Sequence, residues 1–110
     1  MANANAVTDN DLNMICNHHL DAINEYAEKY PTAPKVDEII KGHARIVNMK
    51  KIIQKTRKNA DLSDSEKNRI ISNCLQVMSH TNFNIENALA LLKIRDQKAT
   101  EVASYIAKTK

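Results

Sequence analysis

The sequence predicts an all-α fold, a four-helix bundle of long amphipathic helices joined by short turns, and three observations carry that expectation. One glycine and two prolines occur in 110 residues, so the two residue types that interrupt helices most strongly are almost missing. Both prolines, Pro31 and Pro34, fall in one short segment. Elsewhere apolar residues recur at three- and four-residue spacing, the pattern of a helix with one buried face. The length suits a single domain over residues 1–110. A chain of this size buries roughly two-thirds of the surface it exposes when unfolded.

Residues 1–7 read as a disordered lead-in, with neither the basic n-region nor the apolar h-region of a secretory signal. The first helix starts at Thr8 or Asp9. Thr8 with Asp11 makes a capping box with a shorter acid, and acids in a first turn suit the helix dipole. Its apolar face is Leu12, Ile15, Cys16, His19, Leu20, Ile23, Tyr26, Ala27 and Tyr30. Pro31 stops it, because proline disfavours the helical conformation in the residue before it.

The second helix is predicted from Val36 to Ala60. Val36, Ile39, His43, Ile46, Met49, Ile53 and Ala60 keep a period near 3.5, which suits long helices packed at shallow angles. Asp37 and Glu38 near its start and Lys55, Arg57 and Lys58 near its end follow the order the dipole favours. Ser63-Asp64-Ser65-Glu66 is a capping box opening a third helix with Ile70, Ile71, Cys74, Leu75, Val77 and Met78 inward. His80-Thr81-Asn82-Phe83-Asn84 is predicted as a turn, being rich in residues that bond their own backbone. A fourth helix follows from Ile85 toward Ala107, with Ile85, Ala88, Leu89, Leu92, Ala99, Val102, Ala103 and Ile106 as its core stripe. Gly42, inside the second helix, costs about 1 kcal/mol against alanine and is explained by close helix packing.

Charge is segregated along the chain. Residues 1–40 hold seven acids against two bases, a local −5, whereas residues 41–70 hold nine bases against three acids, a local +6. On the second helix Lys41, Arg45, Lys51, Lys55 and Lys58 fall on the side away from the apolar face. Such a track suits an acidic protein surface or a phosphate backbone. The plainer alternatives are a solvated face or pairing with the acidic first helix. The abundance of Lys, Asn and Ile fits an AT-rich coding genome, pointing to a bacterium or phage.

Two short likenesses occur near the C-terminus. Asn84-Ile85-Glu86-Asn87-Ala88-Leu89-Ala90-Leu91-Leu92-Lys93-Ile94 resembles the first helix of a Fis-type helix-turn-helix. That resemblance implies a turn at Lys93 and a basic recognition helix, but Arg95 to Glu101 carry no break and mixed charge. The same stretch resembles the last helix of a ubiquitin-associated domain, whose glycine-containing loop has no counterpart here, since no glycine follows Gly42. Each likeness covers about a tenth of the chain and rests on ordinary helix-forming residues.

Chemistry-bearing motifs are sparse. Cys16 and His19 lie one helical turn apart, but no second tight pair completes a tetrahedral metal site, and His18 and His19 are expected to face apart. Cys16 and Cys74 read as buried free thiols of a reducing cytosol. No nucleophile elbow, phosphate-binding glycine loop or His-Glu-x-x-His occurs, so neither an enzyme, a metal nor a cofactor is expected. No run approaches the roughly 20 apolar residues of a membrane span. The expectation is a cytoplasmic helical module (or one delivered into another cytosol) that binds and modulates a partner protein bearing an acidic patch, as inhibitor, adaptor or chaperone. Lys41, Arg45, Lys51, Lys55 and Lys58 would make the contact, with Phe83 and Tyr105 as anchors because aromatics are scarce. A homodimer is expected from the 3.5-residue seams. Nucleic-acid binding through the same stripe is the alternative, and a structural or assembly subunit the second.

Overall fold

Thr8 opens the first helix through the reciprocal pair its sequence foretells: Thr8 Oγ1 accepts from the Asp11 amide at 3.1 Å and Asp11 Oδ2 from the Thr8 amide at 3.0 Å. A computed structural model describes residues 6–109 and is all helical there, with α1 Asp9–Asn17, α2 Leu20–Lys29, α3 Pro34–Lys58 and α4 Asp64–Thr109. Of the expected disordered lead-in, residues 1–5 lie outside the described residues. Val7 is half-buried against the core at the position of a hydrophobic staple before the cap.

The predicted first helix is in fact two. His19 takes φ −111° and ψ 9°, which bends the rod between α1 and α2. The bend leaves the Cys16 carbonyl without an intrahelical donor, and His43 Nε2 on α3 donates to it at 3.0 Å. The His18 and His19 rings do not face apart at this bend but meet edge-on, 4.4 Å between centroids. Pro34 then sits in the first turn of α3, where its missing N–H costs nothing.

The predicted turn at 80–84 does not form. The segment is helical, so the expected third and fourth helices are one helix of 46 residues. Its turn-forming residues contain neither glycine nor proline, and Thr81 is buried against Gly42 of α3. Tertiary packing therefore overrides a weak local preference. The result is three rods: α1 and α2 as one bent rod, α3 antiparallel to α4, and α4 as the spine. At 1.5 Å per residue α4 is about 69 Å long, which accounts for a longest dimension of 71 Å. The radius of gyration, 18.8 Å, exceeds the ~13 Å of a compact domain this size.

The core comprises Leu12, Cys16, Ile23, Tyr26, Val36, Ile39, Ile46, Ile53, Ile71, Cys74, Met78, Ile85, Ala88, Leu89 and Leu92. Ala60, Val77, Ala99, Val102, Ala103 and Ile106, expected inward, are exposed. The reason for the last four is length. Gly42 packs on Thr81 and Ile85, so the antiparallel register brings the Pro34 end of α3 opposite Leu92. Tyr30 at the end of α2 bonds Asp96. Among the described residues no other helix runs beside α4 past Asp96 to cover the same seam.

Candidate functional site

The basic residues of α3 form the ridge their spacing foretells. Lys41, Arg45, Lys51, Lys55 and Lys58 are all exposed and extend over about 26 Å of helix. Lys41 pairs with Asp37 of its own helix at 3.0 Å. Among the described residues the other four make no ion pair.

The acidic α1 docks elsewhere on α3. Asp9 Oδ1 takes Arg57 Nη1 at 3.2 Å, and Lys50 Nζ donates to Asn13 Oδ1. Both cations lie beside the core face, so the opposite charges of the two segments do not meet across the ridge. Arg57 has its Nε and Nη2 atoms buried without a partner, so it is held by one contact to an exposed acid.

On the open side of the α3–α4 pair, Glu38, Lys41, Gly42 and Arg45 face Thr81, Asn84 and Ile85 across a cleft of about 240 Å³. This is below the usual ~300–1,000 Å³ of small-molecule sites. The cleft sits beside the ridge and gives the cationic side of α3 a shallow relief with an apolar floor.

Phe83 and Tyr105 do not adjoin the ridge. Both are on α4, 59% and 69% exposed, and about 33 Å apart along its axis. The ridge and the aromatics are thus on separate helices and present separate surfaces. Leu91 and Ile94 are also exposed on α4 and were not singled out by sequence reasoning. Their signal was available in the spacing from Phe83 to Tyr105, but the stripe read from the sequence followed the core side of the helix and assigned Leu91 and Ile94 to no surface.

A polar cluster unforeseen in the sequence closes the end of the bundle. Tyr30 Oη donates to Asp96 Oδ1 at 2.5 Å and Lys29 Nζ to Asp96 Oδ2 at 3.0 Å. These two bonds hold the Asp96 carboxyl below its ordinary range, and they raise both Tyr30 and Lys29. Arg95 lies over the Tyr30 ring, 5.6 Å from its centroid. The group ties α2 to α4 at the last covered turn of the spine.

Both cysteines are free and buried, and burial pushes each thiol upward, away from the reactive thiolate. Burial lowers His19 first, with His18 adding to it. Among the described residues no group of three His, Cys, Asp or Glu is placed to hold a metal, and no helix is long and apolar enough to cross a membrane. The helix-turn-helix likeness fails at its turn, because α4 continues unbroken through Lys93. Comparison with protein-family models, with curated proteins and with solved structures gives no match, and the residues themselves carry the functional reading.

Proposed function

We propose that the protein is a helical protein–protein interaction module, not an enzyme, that captures an acidic segment of a partner along the α3 ridge and modulates that partner by occlusion. What carries the reading is the separation of the ridge from the acidic α1. The chain satisfies Asp9 with Arg57 and leaves Arg45, Lys51, Lys55 and Lys58 to solvent, so the ridge is not an internal pairing surface. Charge complementarity along such a track sets on-rate and specificity. The shallow cleft beside Arg45 offers apolar relief that a peptide side chain would fill and a phosphate backbone would not. The two buried free thiols suit a reducing cytoplasm. Nucleic-acid binding by the same ridge is the second reading, supported by its unbroken positive charge.

The test is affinity capture from nuclease-treated lysate of the source cells with wild type and a Lys51→Glu/Lys55→Glu/Lys58→Glu variant, followed by binding to the captured protein in purified form. Retention of one acidic protein by wild type, its loss by the variant and no competition from duplex DNA support the module. Capture of duplex with steep salt dependence, and no protein after nuclease, moves the function to nucleic acid. Partner binding that survives charge reversal overturns the assignment of the ridge.

A further inference from the structure

The outer face of α4 carries an apolar stripe with an aromatic residue at each end. Phe83, Leu91, Ile94, Val102 and Tyr105 are each about half exposed or more. With Asn87 and Lys98 between them they succeed one another at intervals of four, four, three, four, four and three residues, one side of a helix. The buried seam of the same helix is on a different side, where α3 and α2 lie. The stripe is centred on Ile94, with Phe83 eleven residues before it and Tyr105 eleven after.

We propose that this stripe is the self-association surface of the protein, occupied by the α4 of a second copy running antiparallel about a two-fold axis at Ile94. The proposal is independent of the α3 ridge, which is on another helix. Three observations select a second copy as the occupant. First, the two aromatic ends and the centre of the stripe, Phe83, Tyr105 and Ile94, map onto one another about that axis, as a two-fold interface requires. Antiparallel pairing on Ile94 sets Phe83 against the partner's Tyr105 at both ends and Asn87 against the partner's Glu101, while Leu91 and Val102 fall level with the partner's Gln97 and the partner's Glu86, one residue's rise from the partner's Lys98 and the partner's Asn87. Second, the five side chains expose roughly 1,000 Å² between two copies, the size at which specific interfaces begin. Third, the pairing covers what the monomer leaves bare. Residues 97–108 are exposed, so this end of α4 lacks the tertiary packing that supplies most of a helix's stability. In the pair, the partner's Phe83-to-Leu91 stretch lies along them.

The test is the mass of the full chain by sedimentation from about 1 to 100 µM, with cysteine cross-linking to fix direction. Wild type is expected to reach twice the 12.4 kDa of one chain. Ile94→Asp is expected to stay monomeric with unchanged helical circular dichroism, since Ile94 is outside the core. Under a mild oxidant Ile94→Cys is expected to give a disulfide-linked dimer. Asn87→Cys is not, because the two copies of residue 87 stand about 20 Å apart in this arrangement. A wild type that remains monomeric, a dimer that survives Ile94→Asp, or self-cross-linking by Asn87→Cys would each overturn the proposal.

Discussion

The two ends of α4 belong to one helix and one pattern yet live in different surroundings. From Ile71 to Leu92 the inward positions Ile71, Cys74, Met78, Thr81, Ile85, Ala88 and Leu92 are buried at alternating three- and four-residue steps. Continued at the same steps, the seam passes Arg95 and Ala99, drifts to the edge of the outer stripe at Val102 because 3.5 residues fall short of a full turn, and reaches Ile106, all exposed. The periodicity barely changes across Asp96; the neighbours do. An amphipathic pattern states which side of a helix is able to be buried, while the lengths of the adjoining rods decide how much of it is.

The sharpest check is a pair of adjacent leucines. Leu92 is 1% exposed and Leu91 53%. Leu92→Ala removes a fully buried core side chain, and the expected loss is about 2–5 kcal/mol in urea unfolding. Leu91→Ala touches no core atom, so its expected effect on the monomer is below ~0.5 kcal/mol. Equal losses from the two would mean that the stripe side of α4 is packed within the monomer, and the comparison between the two ends would collapse.

The boundary between the two ends is the Asp96 cluster, and its titration has a definite sign. In the folded state the Asp96 carboxyl is lowered from 3.8, so its contribution is present above that value and lost as pH falls through the folded one. Tyr30 is raised from 10.0 and Lys29 from 10.5, so their contributions are present below those values and lost as pH rises through the raised ones. A melting temperature followed across pH is expected to be flat between about pH 7 and 9, to fall below that range as unfolded His19 and then the carboxylates take up protons, and to fall above it. Asp96→Asn is expected to shrink both limbs, leaving on the acid side the shares of Asp11, which its Thr8 bonds also lower, and of His19, and on the alkaline side those of the buried thiols Cys16 and Cys74. An unchanged alkaline limb in that variant would show that α2 is not tied to α4 through Asp96.

Features written in short-range chemistry were legible in the sequence. The Thr8–Asp11 box, the stop at Pro31 and Ser63 accepting from the Glu66 amide at 3.2 Å each depend on a few neighbouring residues. So did the α3 ridge, because positions on one side of a helix follow from spacing alone. What stayed hidden depends on contacts distant in sequence. Helix through 80–84 follows from Thr81 meeting Gly42. The end of the buried seam follows from Pro34 lying opposite Leu92, a matter of how long α3 is. That α1 spends Asp9 on Arg57 and not on the ridge needs the bend at His19, which no capping signal announces.

Gly42 makes the smallest and finest test of the covered end. A Cβ added there would stand 3.1 Å from Ile85 Cγ1 and 3.2 Å from Cδ1, closer than side chains normally pack. Against this crowding, alanine gains about 1 kcal/mol of helix propensity over glycine. Ile85 lines the open cleft beside Gly42, so its end is able to swing a few tenths of an ångström into that space. The two effects then nearly cancel, and Gly42→Ala is expected to unfold within ~0.5 kcal/mol of wild type. Gly42→Leu has no such escape, since its branches meet both Ile85 and Thr81, and it is expected to lose about 1–3 kcal/mol. The same exchange at the far end, Thr100→Leu, meets no facing helix and is expected to leave stability nearly unchanged. If leucine is tolerated equally at 42 and at 100, then α3 does not press on α4 at Thr81, and the force that keeps the 80–84 segment helical must be sought elsewhere.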